Sequence, residues 1–168
     1  MSTLIALVAC SSPHKGDYVN IDAKPSNYSR QDLCQRFLSF VTDELKASDA
    51  HLENSTEDAN GKAIEWSSGC HVYRSDLRII GSLSVYNPQR NGTIQPAQSD
   101  FQPIKGFSEK VWMTNDDQFR TQVGQWVSEM SFQKRNLQMD GNPADLDNDK
   151  VKKSVEFLIQ LTRDIQKS

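Results

Sequence analysis

Val123-Gly124-Gln125-Trp126-Val127-Ser128-Glu129-Met130-Ser131-Phe132 is the stretch that decides the fold. Trp126, Ser128, Met130 and Phe132 share one parity, and Val127, Glu129 and Ser131 the other. Successive side chains of a strand point to opposite faces, so the alternation predicts a strand over residues 123–132 with one buried side. Working outward, Val111-Trp112-Met113 and Phe119 predict the preceding strand, and Asn115-Asp116-Asp117 between the two marks a hairpin turn. Two further strand-like stretches lie upstream. Residues 64–73 carry Trp66, Cys70, Val72 and Tyr73; residues 77–86 alternate through Leu77, Ile79, Leu83 and Val85, with Gly81 at a bulge. Turn residues crowd Asn87-Pro88-Gln89-Arg90-Asn91-Gly92, and the polar run to Pro103 reads as irregular.

A helix flanks this meander on each side. Ser29 stands as a cap before Arg30-Gln31-Asp32, with Asp32 near the positive end of the dipole. Leu33, Phe37, Leu38, Val41 and Leu45 then recur at helical spacing over about four turns. Cys34 lies beside that stripe. At the other end Val151, Val155, Leu158, Ile159, Thr162 and Ile165 form an apolar stripe opposite Lys152, Lys153, Glu156, Arg163 and Lys167. The order predicts an α+β fold: an antiparallel sheet of about four strands with an N-terminal and a C-terminal helix on one face. A single domain over residues 29–168 accommodates all of it.

Composition narrows the function classes. A chain of 168 residues with 36% hydrophobic and 24% charged side chains supports one modest core. Its net charge of −3 is spread along the chain, and no Lys/Arg cluster in the sequence invites nucleic acid or a membrane surface. No apolar run approaches the roughly 18–20 residues that span a bilayer. Three cysteines, Cys10, Cys34 and Cys70, make an odd count that asks for an explanation.

The amino terminus offers one. The apolar run Leu4-Ile5-Ala6-Leu7-Val8-Ala9 ends at Cys10-Ser11-Ser12, and Leu7-Val8-Ala9-Cys10 resembles the lipobox of bacterial envelope lipoproteins. The resemblance implies lipid attachment at the Cys10 thiol, cleavage before it, and residence in the periplasm; Ser11 and Ser12 suit sorting to the outer membrane. Residues 1–9 then read as a truncated signal-like segment without Lys or Arg, and residues 10–28 as a flexible tether. A rival resemblance, to the first strand and phosphate loop of flavodoxin-type flavin reductases, uses Cys10-Ser11-Ser12-Pro13-His14-Lys15-Gly16. It lacks the further all-apolar parallel strands that fold requires. With Cys10 lipidated, Cys34 and Cys70 are left to pair in an oxidising compartment, two buried free thiols being the alternative.

The layout is also similar to that of small periplasmic lipoproteins, including immunity lipoproteins of type VI secretion systems. There a turn–strand–hairpin–strand unit leads into a terminal helix, as residues 106–132 lead into 149–166 here. The resemblance implies a non-enzymatic protein that binds and neutralises a protein partner, a secreted toxin. Under it the polar loops at residues 48–61 and 87–103 are the natural contact elements, with Asp49, Glu53, Glu57 and Asp58 facing a basic surface; a plain solvated loop explains the same acids. An accessory lipoprotein of an envelope or secretion assembly, and a small hydrolase, are the alternatives.

Little else carries chemistry. Asp145, Asp147 and Asp149, with Glu156 in the twelfth place, match part of an EF-hand-type calcium loop, which gathers six to eight oxygens around a hard cation. Lys150 occupies the sixth place, where that loop needs glycine, and the acids serve equally to cap the terminal helix. No cofactor beyond calcium is indicated. His14, His51 and His71 show no zinc spacing; His71 beside Cys70 faces the opposite side of a strand. Trp66, Trp112 and Trp126 read as packing residues rather than a sugar platform.

Overall fold

The computed structural model describes residues 25–52, 61–88, 101–114, 117–139, 142–143 and 146–168. Cys10, the signal-like segment and most of the tether lie outside them. Residues 26 and 28, placed in the tether by sequence, belong to the folded part: Ser26 N donates to the Ile64 carbonyl at 3.1 Å, and Ile64 N to the Tyr28 carbonyl at 2.8 Å.

Among the described residues the order is α1 (Arg30–Ser39), β1 (His51–Leu52), β2 (Ser67–Tyr73), β3 (Ile79–Tyr86), β4 (Gln102–Ile104), β5 (Lys110–Met113), β6 (Gln118–Val123), β7 (Trp126–Phe132), β8 (Gln138–Met139), β9 (Asn142–Pro143) and α2 (Asn148–Lys167). The first seven strands form one antiparallel sheet in the order β1-β2-β3-β7-β6-β5-β4. The α+β class and the antiparallel sheet agree with the sequence pattern. The strand number does not: seven strands stand where about four were expected.

The extra strands have physical causes. β1 and β4 are edge strands of two and three residues, too short to show a period, and β4 contains Pro103, which an edge tolerates. The 111–119 segment divides because Asp117 takes a left-handed φ of 59°, so Phe119 belongs to β6 rather than β5. The 123–132 segment divides at Gly124, whose φ of +57° opens a two-residue turn between Val123 and Trp126. Upstream, the register of β2 on β3 slips between Val72 and Tyr73, and Ile80 is the residue left over beside Gly81.

Both helices cover one face of the sheet. Ser29 caps α1, its hydroxyl oxygen accepting from Asp32 N at 3.1 Å. The expected four-turn helix changes character part-way, continuing as a π-helical turn over Phe40–Glu44. Leu33, Phe37, Val41 and Leu45 are fully buried along it. Phe37 approaches so closely that a Cβ on Gly81 would lie 3.1 Å from its ring and 3.0 Å from that of Phe132. α2 buries Val155, Leu158, Ile159, Thr162 and Ile165 as its stripe predicts. Its Thr162 hydroxyl lies 2.7 Å from Ser128 Oγ and 2.6 Å from the Leu158 carbonyl. One proton cannot serve both, so Thr162 donates to the carbonyl and accepts from Ser128. The helices meet through stacked Phe40 and Phe157, with centroids 4.4 Å apart, and through Arg36 and Asp164 at 2.6 Å.

Candidate functional site

With the helices on one side, the other face of the sheet has no helix over it among the described residues. Strand register writes that face as rows. Gly69, Ser84, Glu129, Arg120, Trp112 and Pro103 are consecutive partners across six strands. His71, Ser82, Ser131 and Gln118 form the next row, and Ser67, Tyr86, Val127, Gln122 and Lys110 the one on the other side. The period of two that buries Met130 and Phe132 against the helices therefore delivers serines, Glu129 and Arg120 to the opposite face.

Three residues there form a unit. The Tyr86 hydroxyl donates to Glu129 Oε1 at 2.7 Å, and Arg120 Nε stands 3.3 Å from the same oxygen. The Arg120 guanidinium carbon is 6.0 Å from the Phe101 ring centroid, at the outer limit of a cation–π contact. Arg120 is only 7% exposed, so its charge depends on Glu129 for compensation. Burial first, and the hydrogen bond to Glu129 second, push the Tyr86 phenol well above its ordinary value. A recess of about 140 Å³ lies beside this unit, lined by Ser82, Ser84, Phe101, Gln118, Glu129 and Ser131 among others. Ligand pockets run from roughly 300 Å³ upward, so the recess suits a single protruding side chain better than an organic cofactor. His71 Nδ1 and Ser82 Oγ are 2.8 Å apart nearby, yet among the described residues no carboxylate orients the imidazole.

A larger recess of about 690 Å³ opens at one end of the domain, between Pro25, Asn27, the β6–β7 turn and the end of α2. Asn27 Nδ2 donates there to the Ser168 carbonyl at 2.6 Å, and Ser26 Oγ contacts Ser168 Oγ.

The residues singled out from sequence fare unevenly. Cys34 on α1 and Cys70 on β2 are joined in a disulfide with a Cα–Cα distance of 5.4 Å, within the core. Of the calcium set, Asp145 lies outside the described residues. Asp147 caps α2, accepting from Lys150 N at 2.9 Å and pairing with Lys150 Nζ at 2.7 Å. The Lys150 side chain first, and its backbone N–H second, hold the Asp147 carboxyl below its ordinary value. Asp149 pairs with Lys153 at 3.4 Å and Glu156 with Lys152 at 3.8 Å. Among the described residues no three His, Cys, Asp or Glu side chains gather as a metal group. Asp49 pairs with Arg74 at 3.5 Å, while Glu53, Glu57 and Asp58 lie outside the described residues. His51, expected in a loop, is in β1; Trp126 is buried as expected, and Trp66 and Trp112 are half-buried.

Sequence alone did not single out Tyr86, Arg120 or Phe101. The available signal was modest: an arginine between the buried Phe119 and Thr121 of one strand, facing Glu129 of the next. No protein-family model, curated protein or solved structure matches the chain. No helix among the described residues is long and apolar enough to cross a membrane.

Proposed function

We propose that this is the folded domain of a bacterial envelope lipoprotein, anchored through Cys10 to the outer membrane from the periplasm, that binds and neutralises a protein partner, specifically as an immunity protein against a secreted effector. The Cys34–Cys70 disulfide carries the reading. Disulfides persist in oxidising compartments such as the periplasm and are rare where glutathione keeps thiols reduced. With these two cysteines joined, Cys10 is the only one of the three left for another role. Partner binding draws support from the open sheet face, where Tyr86, Glu129 and Arg120 hold one another in place beside a recess the size of a side chain. Preorganised tyrosine and arginine side chains are the residue types that anchor protein interfaces.

The test uses the native gene product in its own cell. The expected result is a diacylglyceryl group on Cys10 and an oxidised Cys34–Cys70 pair in the envelope fraction. Cells producing the protein should survive an envelope-targeted effector, and Gln118→Arg, at an exposed position lining the recess, should weaken that protection while the disulfide still forms. An unmodified Cys10 with reduced Cys34 and Cys70 in the cytosol overturns the reading.

A further inference from the structure

We propose that one end of the domain is a docking surface for an anionic phospholipid bilayer; it deepens, and rests on, the lipoprotein reading given above. Strand register defines the end. Lys110 opens β5 in the row that runs through Gln122, Val127 and Tyr86 to Ser67. Lys105 follows β4 at the same end, next to the Ile104–Val111 pair. The Lys62 carbonyl accepts from Arg30 N at the start of α1, one residue from the Ser29–Ala63 bridge. Lys167 ends α2 beside Gln166, whose Oε1 accepts from Gln125 N in the β6–β7 turn. Four exposed lysines separated by as much as a hundred residues of chain thus share one end.

Among the described residues their charge is not matched by ion pairs. None of the four has an ion-pair partner among the described residues. Two acids on the same segments are engaged elsewhere: Glu109, beside Lys110 in the chain, with Arg163 at 2.7 Å, and Asp164, one turn before Lys167, with Arg36 at 2.6 Å. Asp32, in the first turn of α1, and Glu65 are exposed acids at the same end without an ion pair, fewer than the four lysines. The opposite end is arranged otherwise, its cations mostly matched by acids: Lys150 by Asp147, Lys153 by Glu44, Arg74 by Asp49, and Lys134 by Asp117. The partner follows from position as well as charge. Pro25, through which the folded part joins the segment bearing Cys10, lines the same recess as Gln125 and Lys167. An acyl anchor on that segment brings the lysine end, rather than the neutralised end, toward lipid headgroups. The chain as a whole carries −3, so attraction to an anionic bilayer must come from this local surface.

Each lysine near an anionic membrane contributes about a fivefold gain in partitioning, screened within roughly 10 Å at moderate salt. Flotation of the unlipidated full chain (Cys10→Ser) with vesicles tests this. Vesicles of equal parts phosphatidylglycerol and phosphatidylcholine should carry the protein, and pure phosphatidylcholine vesicles should not; high salt should release it. The Lys62→Glu/Lys110→Glu pair should cut binding by roughly tenfold or more. The charge-matched pair Lys46→Glu/Arg135→Glu, at the other end, should leave it nearly intact, with circular dichroism and the oxidised Cys34–Cys70 bridge confirming that both fold. Absence of binding to the anionic vesicles, equal binding to both vesicle types, or equal loss from the two variant pairs overturns the docking surface. Mass analysis of Cys10 separates this from the larger reading. An acylated Cys10 without vesicle binding removes the surface and leaves the lipoprotein. Vesicle binding with an unmodified Cys10 keeps the surface and removes the tether.

Discussion

Removing the Cys34–Cys70 bridge should cost the domain a large part of its stability, and the size of the loss follows from the chain between them. The cysteines are 36 residues apart, and closing a loop of that length removes unfolded-state entropy equivalent to about 4 kcal/mol at 25 °C. Both sulfurs are buried against α1 and β2, so Cys34→Ala/Cys70→Ala also loses about 1 kcal/mol of burial per side chain. Typical domains are stable by about 5–15 kcal/mol, so the double variant should sit near the margin. Urea unfolding followed by circular dichroism measures this directly, with linear extrapolation to water. The midpoint should fall, and the slope should rise because the unfolded chain is no longer clamped. The thermal midpoint should drop by about 12–24 °C for the combined loss of about 6 kcal/mol, using 2–4 °C per kcal/mol for chains of this size. Wild type unfolded in the presence of reductant should approach the double variant. A difference below about 1 kcal/mol, with the wild-type bridge verified by mass spectrometry, would refute the claim that the cross-link restrains the unfolded chain.

Other perturbations probe separate parts of the molecule. Gly81→Ala places a methyl group 3.0–3.1 Å from the Phe132 and Phe37 rings and should destabilise by about 1–3 kcal/mol in the same urea assay; a neutral result means the α1–sheet contact yields freely. Thr162→Val strands the buried Ser128 hydroxyl and should cost about 1–3 kcal/mol, whereas adding Ser128→Ala should recover part of it in a double-mutant cycle. Tyr86 gives a pH signature. Its folded value is raised by burial and by Glu129, so the stability it adds is fully present below the unfolded tyrosine value of about 10 and is lost as pH rises above it. Ultraviolet titration should show a late-ionising phenol that is absent in Tyr86→Phe; if the titration is unchanged in that variant, Tyr86 is not the perturbed group.

Much of the scaffold was legible because it is written in periods. Trp126–Phe132 alternates along a central strand with neighbours on both sides, and burial on one face enforces that alternation over seven residues. Ser29, Asp147 and the stripe from Val155 to Ile165 act locally, through hydrogen bonds and spacings of three to four residues. β1 and β4 were not legible, since strands of two and three residues at the sheet edges exist through pairing rather than pattern. Of the expected turn Asn115-Asp116-Asp117 the first two residues lie outside the described residues, and nothing local assigned Phe119 to β6; that depends on its partnership with Met130.

The amino-acid sequence by itself determined the α+β class, the two helix starts and the two faces of β7. It could do so because each follows from parity, spacing or capping within a short stretch of chain. Only the tertiary structure decided that seven strands share one sheet, that Tyr86, Glu129 and Arg120 meet on its open face, and that four distant lysines collect where the chain enters from Cys10. Those are consequences of strand order and register, which bring together residues far apart in the chain and which no local spacing encodes.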